Sequence, residues 1–202
     1  EVPSYALAVL ECGWKAGAEI LILCETNGGR LPHEVAAATR AVREHLPEAV
    51  IGIHTHNDAG CAVANSLASV QAGATQVQGT INGYGERTGN ANLCTVIPNL
   101  QLKMGYDVIT DEQLCSLTHV SHLVAELANM SPRDRSPYVG RDAFMHKGGM
   151  HADAVRKKKA SYEHIDPALV GNGTHIAVSE LSGRSSLMQK AKEFGLALDR
   201  NT

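Results

Sequence analysis

Three short apolar segments dominate the first part of the chain and recur about 25–30 residues apart. They lie at residues 20–24, 50–56 and 76–81. Each has the length of a buried strand, and a stretch with the apolar spacing of a helix stands between one segment and the next. Strands that alternate with helices in this way form right-handed βαβ units around a parallel sheet. The chain is therefore predicted to adopt an α/β fold.

Helices are predicted before, between and after these strands. In the first of them Leu7, Leu10 and Trp14 share one face. The predicted helices cover residues 5–16, 32–46, 62–71, 92–103 and 111–130. From Ser131 the chain becomes loop-rich. We therefore expect a first domain over residues 1–130 and a second over residues 131–202.

The composition excludes two classes of partner. The 202 residues have a net charge of −3 and only 19% charged residues, which argues against a nucleic-acid surface or a polybasic membrane surface. No uncharged apolar run reaches the roughly eighteen residues that span a bilayer, and no signal-peptide pattern opens the chain. The five cysteines, none in a C-x-x-C pair, are expected to be small core residues in a reducing compartment. We therefore expect a cytoplasmic protein.

Two histidines, His54 and His56, stand two residues apart on the second predicted strand, so both imidazoles point to the same face. They lie at the carboxyl end of a parallel strand, where α/β folds place their sites, and this favours a shared metal ion. Two buried histidines bonded to the backbone are the alternative. Asp58 is expected either to cap the next helix or to orient a ligating imidazole.

Two loops offer further candidates. Thr26 follows the first strand, and its hydroxyl could receive an anionic substrate together with the amides of the glycines that follow. Asn-Gly-Gly is equally the chemistry of a plain turn. The loop from Gly79 to Gly89 has four glycines in eleven residues, yet it matches neither a P-loop nor a dinucleotide fingerprint.

Histidines elsewhere in the chain are weaker candidates. His119 and His122 stand three apart on a predicted helix without an acidic or cysteine partner, so we expect them on a solvated face. His151 lies in a Gly-flanked segment and is either an ordinary surface histidine or a catalytic one. The basic run at residues 156–159 is expected to be a solvated patch, with a phosphate-bearing cofactor such as coenzyme A as the alternative.

Five sequence strings, taken together, resemble a known family. In chain order they are CETNGG, GIHTHNDAG, QVQGTINGYGERTGNANL, AFMHKGGMHADAV and SYEHIDPALVG. The combination of H-x-H-N-D with G-E-R-x-G-N-A is similar to that of the metal-dependent Claisen-condensing acyltransferases, which comprise 2-isopropylmalate, homocitrate and citramalate synthases. The string GTINGYGERTGNANLCTVIPNLQLKMG resembles the citramalate branch most.

The resemblance implies the C-terminal part of a (β/α)8 barrel, about its strands 6–8, followed by linker subdomains. It implies metal ligands at His54, His56 and Asn90, substrate contacts at Thr26 and Glu86, and catalytic roles for His151 and Tyr162. The cofactor would be Mn²⁺, Zn²⁺ or Mg²⁺, with acetyl-CoA as co-substrate. A homodimer is implied in which the linker region reaches the partner's active site.

The activity implied by the resemblance is condensation of acetyl-CoA with an α-keto acid. The branch favours pyruvate, which gives (R)-citramalate for isoleucine biosynthesis, and 2-isopropylmalate or homocitrate synthesis is the alternative. An HMG-CoA-lyase-like enzyme is disfavoured because residues 85–88 include no cysteine. A complete barrel takes about 250 residues. We therefore expect the first-strand Arg and Asp of the family to lie outside this chain and the 202 residues alone to be inactive.

Overall fold

A computed structural model describes residues 3–146, 154, 158–176 and 194–195. The chain divides into two compact units, Glu1–Val108 and Ile109–Thr202. No helix among the described residues is long and apolar enough to cross a membrane.

The first unit is built on a three-stranded parallel sheet in the order β1-β2-β3. Its strands are β1 (Ile20–Glu25), β2 (Val50–Thr55) and β3 (Gln76–Gln78). The helices α1 (Pro3–Lys15), α2 (Pro32–His45) and α3 (Ala62–Gln71) alternate with them. The predicted α/β order is therefore confirmed.

Local chemistry sets the ends of α2. Pro32 occupies its first turn, where a missing N–H costs nothing, and the Glu34 carboxylate accepts a hydrogen bond from the Leu31 backbone N–H at 2.9 Å. Pro47 follows directly after the capping residue Leu46, and a proline cannot continue the helix. Both ends fall where the sequence predicts them.

The core of the first unit lies around β2, whose Ile51 and Ile53 are fully buried. Hydroxyl groups hold the flanking helices together. Thr39 and Ser69 join α2 to α3 at 2.8 Å. These bonds satisfy polar groups that would otherwise be buried without a partner. The sheet and its helices thus form a packed base for the loops at the carboxyl ends of the strands.

The chain after β3 departs from the prediction of a strand through residue 81. Thr80 leaves the ladder because its N–H donates to the Ala91 carbonyl and its carbonyl accepts from the Leu93 N–H. Helix α4 (Leu93–Pro98) then continues as a π-helical turn over Asn99–Lys103. The change coincides with Pro98, which has no N–H for a bond to the preceding turn.

The second unit contains helices α5 (Asp111–Cys115) and α6 (Leu117–Leu127) and the parallel pair β4 (Met145–His146) and β5 (His175–Ile176). The continuous helix predicted over residues 111–130 is thus interrupted at Ser116. The hydroxyl of Ser116 donates to the Glu112 carbonyl at 3.1 Å and competes with the regular helical pattern.

The cysteines do not all behave as predicted. Cys94 is buried, whereas Cys12, Cys24 and Cys115 are exposed in the described structure and Cys61 is intermediate. In α1 the residues packed against the core are Leu7, Leu10 and Trp14. Cys12 stands two positions from both Leu10 and Trp14 and therefore lies on the other face of the helix.

Candidate functional site

The candidate site lies where the three parallel strands of the first unit end. Cys24 of β1 pairs with His54 of β2, and His54 pairs in turn with Gln78 of β3. The loops that follow the strands therefore start side by side. This is the edge of a parallel sheet at which α/β proteins bind their ligands.

The two histidines at the end of β2, His54 in the strand and His56 directly after it, lie close together. The ring centroids of His54 and His56 are 5.4 Å apart and the rings are tilted by 54°. Nδ1 of His54 lies 3.2 Å from Oε1 of Gln78. When the amide oxygen accepts this bond, Nδ1 is the donor, and a neutral imidazole then keeps a lone pair on Nε2. Gln78 is therefore placed to favour the His54 tautomer that can bind a cation through Nε2.

Asn90 approaches His56 from the loop after β3, and the two residues form an isolated antiparallel bridge. The Asn90 side-chain nitrogen donates to the Tyr84 carbonyl at 3.2 Å, whereas its Oδ1 is buried without a hydrogen-bond partner among the described residues. Nδ1 of His56 and Oε2 of Glu25 are likewise buried without a hydrogen-bond partner among the described residues. Buried polar atoms without partners are costly and call for an explanation, of which a bound ion or water is one.

Glycines allow the loop around Asn90 to fold this tightly. A Cβ atom on Gly85 would lie 2.1 Å from the Asn90 side-chain nitrogen. Gly89 has φ +97°, and a Cβ there would lie 1.9 Å from the Gly83 carbonyl oxygen. Gly85 is therefore explained by the close approach of the Asn90 amide, and Gly89 by its positive φ and the close approach of the Gly83 carbonyl.

Asp58 adopts neither of its predicted roles. Asn57 instead accepts the bond from the Ala62 N–H at the start of α3, at 3.1 Å. The Asp58 carboxylate binds Arg87 through two hydrogen bonds of 2.8 and 2.9 Å. These bonds to the guanidinium lower the pKa of Asp58 and raise that of Arg87.

The two substrate candidates of the first unit lie at the rim of this edge. Thr26 and Glu86 are both exposed. The Thr26 carbonyl accepts a hydrogen bond from Arg87 at 2.6 Å, and Glu86 sits in the tight turn that leads to Gly89. The structure therefore places both next to loops that also carry the metal candidates.

In the second unit Tyr162 is half exposed, and its ring centroid lies 6.4 Å from that of His146. His146 and Glu163 are both largely buried, with 3.4 Å between Nε2 and Oε1. Glu163 also accepts a hydrogen bond from the Thr174 hydroxyl at 2.6 Å. This buried polar cluster is not predictable from the sequence, because no local pattern brings residues 146, 163 and 174 together. His151 lies outside the described residues.

The donor set at the strand ends suits a divalent cation in part. Among the described residues no group of three or more His, Cys, Asp or Glu side chains is arranged to hold a metal. The candidates are two imidazoles and the unpartnered Asn90 amide oxygen, a mixed set that Zn²⁺, Mn²⁺ and Mg²⁺ accept. Such a site leaves coordination positions open for a substrate, as catalytic metals require.

Comparison with known proteins adds independent observations. Residues 2–124 match the family described as HMGL-like, and residues 138–202 match the homocitrate synthase post-HMGL domain-like family. The (R)-citramalate synthase of Aquifex aeolicus is 58% identical over 197 residues, which are 98% of this chain and 37% of that protein. The 2-isopropylmalate synthase of Methylorubrum populi is 38% identical over 98% of this chain and 39% of its own length.

The chain therefore spans well under half the length of the curated relatives it matches. A solved structure of an HMG-CoA lyase from Bacillus subtilis superposes with a TM-score of 0.59 at 23% identity, over 69% of this chain and 47% of that chain. This likeness concerns the fold and confirms the predicted part of a (β/α)8 barrel. Because the first family match covers more than half of the 202 residues, the chain belongs to the HMGL-like family.

Proposed function

We propose that this chain belongs to a metal-dependent acyltransferase that condenses acetyl-CoA with pyruvate to give (R)-citramalate, a step of isoleucine biosynthesis. The observation that carries this proposal is the identity of 48–58% to five proteins named (R)-citramalate synthase, against 35–38% for three named 2-isopropylmalate synthase. Homocitrate synthesis is a further alternative, supported by the match of residues 138–202 to a homocitrate synthase post-HMGL domain-like family.

His54, His56 and Asn90 are the residues we propose to hold a divalent cation, either Mn²⁺, Zn²⁺ or Mg²⁺. The paired imidazoles and the unpartnered amide oxygen of Asn90 support this assignment. A cation bound there supplies a Lewis acid that polarises the keto carbonyl of the substrate. The hydrogen bond from His54 to Gln78 keeps Nε2 free for this purpose.

The other proposed residues bind substrate or move a proton. The Thr26 hydroxyl binds the carboxylate of the keto acid. Glu86, in the loop after β3, is the second proposed substrate contact. His151, assisted by Tyr162, takes a proton from the acetyl methyl group. The resulting enolate carbon forms a bond to the keto carbon as the C=O π bond opens, and the alkoxide so formed takes up a proton to become the hydroxyl group. Water then hydrolyses the thioester, and release of the coenzyme A thiol makes the sequence irreversible.

The organisation of the longer protein is also part of the proposal. We place the end of the barrel part at residue 130 and the linker region at residues 131–202. A cytoplasmic homodimer, in which the linker region serves the partner's site, follows from the family resemblance. The 202 residues alone then lack part of the barrel and are inactive by themselves.

A panel of keto acids tests the proposed activity. The full-length protein is assayed for thiol release from acetyl-CoA with pyruvate, 3-methyl-2-oxobutanoate and 2-oxoglutarate. We expect kcat/KM for pyruvate to exceed the others by at least about 10-fold, because each extra methyl group is worth roughly 10–200-fold in a fitted pocket. A preference for 3-methyl-2-oxobutanoate would instead support 2-isopropylmalate synthesis, and a preference for 2-oxoglutarate would support homocitrate synthesis.

The role of Gln78 gives a prediction about metal affinity. Gln78→Leu removes the acceptor that fixes the His54 tautomer, so Mn²⁺ affinity should fall roughly 10–100-fold. Isothermal titration of the metal-free full-length protein measures this change. Gln71→Leu, at an exposed position at the end of α3, is the control and should bind Mn²⁺ like the wild type. Equal affinity in the Gln78 variant would remove Gln78 from the site.

A further inference from the structure

One side chain, Arg87, connects the loops that follow all three strands of the first unit. Its Nε and Nη2 atoms donate to the two carboxylate oxygens of Asp58, at 2.8 and 2.9 Å. Nη2 also donates to the backbone carbonyl of Thr26 at 2.6 Å. Arg87 belongs to the loop after β3, Asp58 to the loop after β2 and Thr26 to the loop after β1.

Backbone contacts connect the same three loops. The Ala59 N–H donates to the Gly28 carbonyl at 2.8 Å, and the Asn57 N–H donates to the Gly89 carbonyl at 2.9 Å. A Cβ atom on Gly28 would lie 2.1 Å from Oδ2 of Asp58, so the Asp58 carboxylate packs closely against the turn at residues 26–29. The three loops are therefore packed to fit one another at the Arg87–Asp58 pair.

The backbone of Arg87 is held in an unusual conformation. Its φ is +56°, in the left-handed region that side chains other than glycine rarely adopt. Conformations of this kind persist where surrounding contacts determine them, and they cluster at functional sites. The guanidinium group of Arg87 makes three hydrogen bonds here, and these are contacts of that kind.

We propose that Arg87 is a positioning residue: held on Asp58, it fixes the turn that carries Thr26 against the loop that follows His56. Arg87 does not touch the substrate in this account, because Asp58 and the Thr26 carbonyl occupy its Nε and Nη2 atoms. The substrate part of the inference rests on the proposed function, in which Thr26 binds the keto acid. The loop-holding part rests on the geometry alone.

Arginine is required for this role because its planar fork meets both carboxylate oxygens while Nη2 also reaches the Thr26 carbonyl. Arg87→Lys keeps the charge but loses the fork. Arg141→Lys is the matched control, because Arg141 also binds a carboxylate, that of Asp134 at 3.0 Å. The side chains of Arg87 and Arg141 are both exposed. Both variants are made in the full-length protein.

Two measurements decide the proposal. Hydrogen–deuterium exchange should show faster exchange for residues 26–29 and 57–60 in Arg87→Lys and no change in Arg141→Lys. The KM for pyruvate should rise roughly 10-fold or more in Arg87→Lys, because misplaced binding groups lose their alignment with the substrate. Mn²⁺ affinity, which depends on His54, His56 and Asn90, should stay within about twofold of the wild type, because Asn90 is held separately by its bonds to the Tyr84 and Gly83 carbonyls.

Each alternative result has a defined meaning. Unchanged exchange at residues 26–29 would overturn the loop-holding role of Arg87. Faster exchange with an unchanged KM would show that the pair is structural and would overturn the positioning of Thr26 for substrate. If the wild type condenses no keto acid, the proposed function fails together with the substrate part, and the exchange data still decide whether Arg87 holds the loops.

Discussion

Replacing His54 or His56 with alanine in the full-length enzyme is expected to abolish metal-dependent turnover. Each variant removes one of the two imidazoles that stand 5.4 Å apart at the end of β2. The loss should exceed the roughly 10–100-fold caused by loss of an outer partner of a ligand, because a direct ligand is removed. Thiol release measured over a range of Mn²⁺ concentrations gives the size of the effect.

A matched control separates this effect from a general disturbance. His122, on α6, is exposed as predicted, and His122→Ala should retain wild-type activity. Circular dichroism should show the same secondary structure for all three variants, because neither imidazole belongs to the apolar core around Ile51 and Ile53, although His56 is itself buried. Full turnover in either His54→Ala or His56→Ala would contradict the assignment of that histidine as a metal ligand.

His151→Ala is expected to lower kcat by roughly 100- to 10,000-fold, the range that a positioned general base contributes. Affinity for pyruvate should change little, because the proposed keto-acid contacts are the cation and Thr26. Stopped-flow measurement of thiol release gives kcat, and isothermal titration of the metal-loaded enzyme with pyruvate gives the affinity. The contrast between the two quantities distinguishes a proton-transfer residue from a binding residue.

The control for this variant is His119→Ala, at an exposed position on α6. It should change neither quantity. A His151 variant that loses pyruvate affinity while kcat at saturation is retained would show that His151 binds substrate and that proton removal belongs to another group. Retention of both quantities would take His151 out of the reaction altogether.

Much of the first unit is predictable because its signals are local. Pro32 and Pro47 bound α2 through the geometry of proline itself. The two-residue spacing of His54 and His56 implies a shared face on any strand, and the rings do lie together. Both features depend only on residues within a few positions of one another along the chain, so the sequence shows them directly.

Other features depend on how distant segments meet. Asp58 and Arg87 are 29 positions apart, and nothing local distinguishes this pair from two solvated charges. The bond from His54 to Gln78 requires the register between β2 and β3, which is set only when the strands pair. The interruption at Ser116 depends on one hydroxyl competing for a backbone carbonyl, an effect too small to show in apolar spacing.

The most direct test of the account is pulsed electron paramagnetic resonance of the full-length enzyme loaded with Mn²⁺. We expect hyperfine coupling to the nitrogens of two imidazoles, reduced to one in His54→Ala or His56→Ala, whereas His122→Ala keeps both. This measurement reads the ligands themselves and does not depend on turnover or on the identity of the keto acid. A wild-type spectrum without imidazole nitrogen coupling, or one that His54→Ala and His56→Ala leave unchanged, would contradict the proposed metal site.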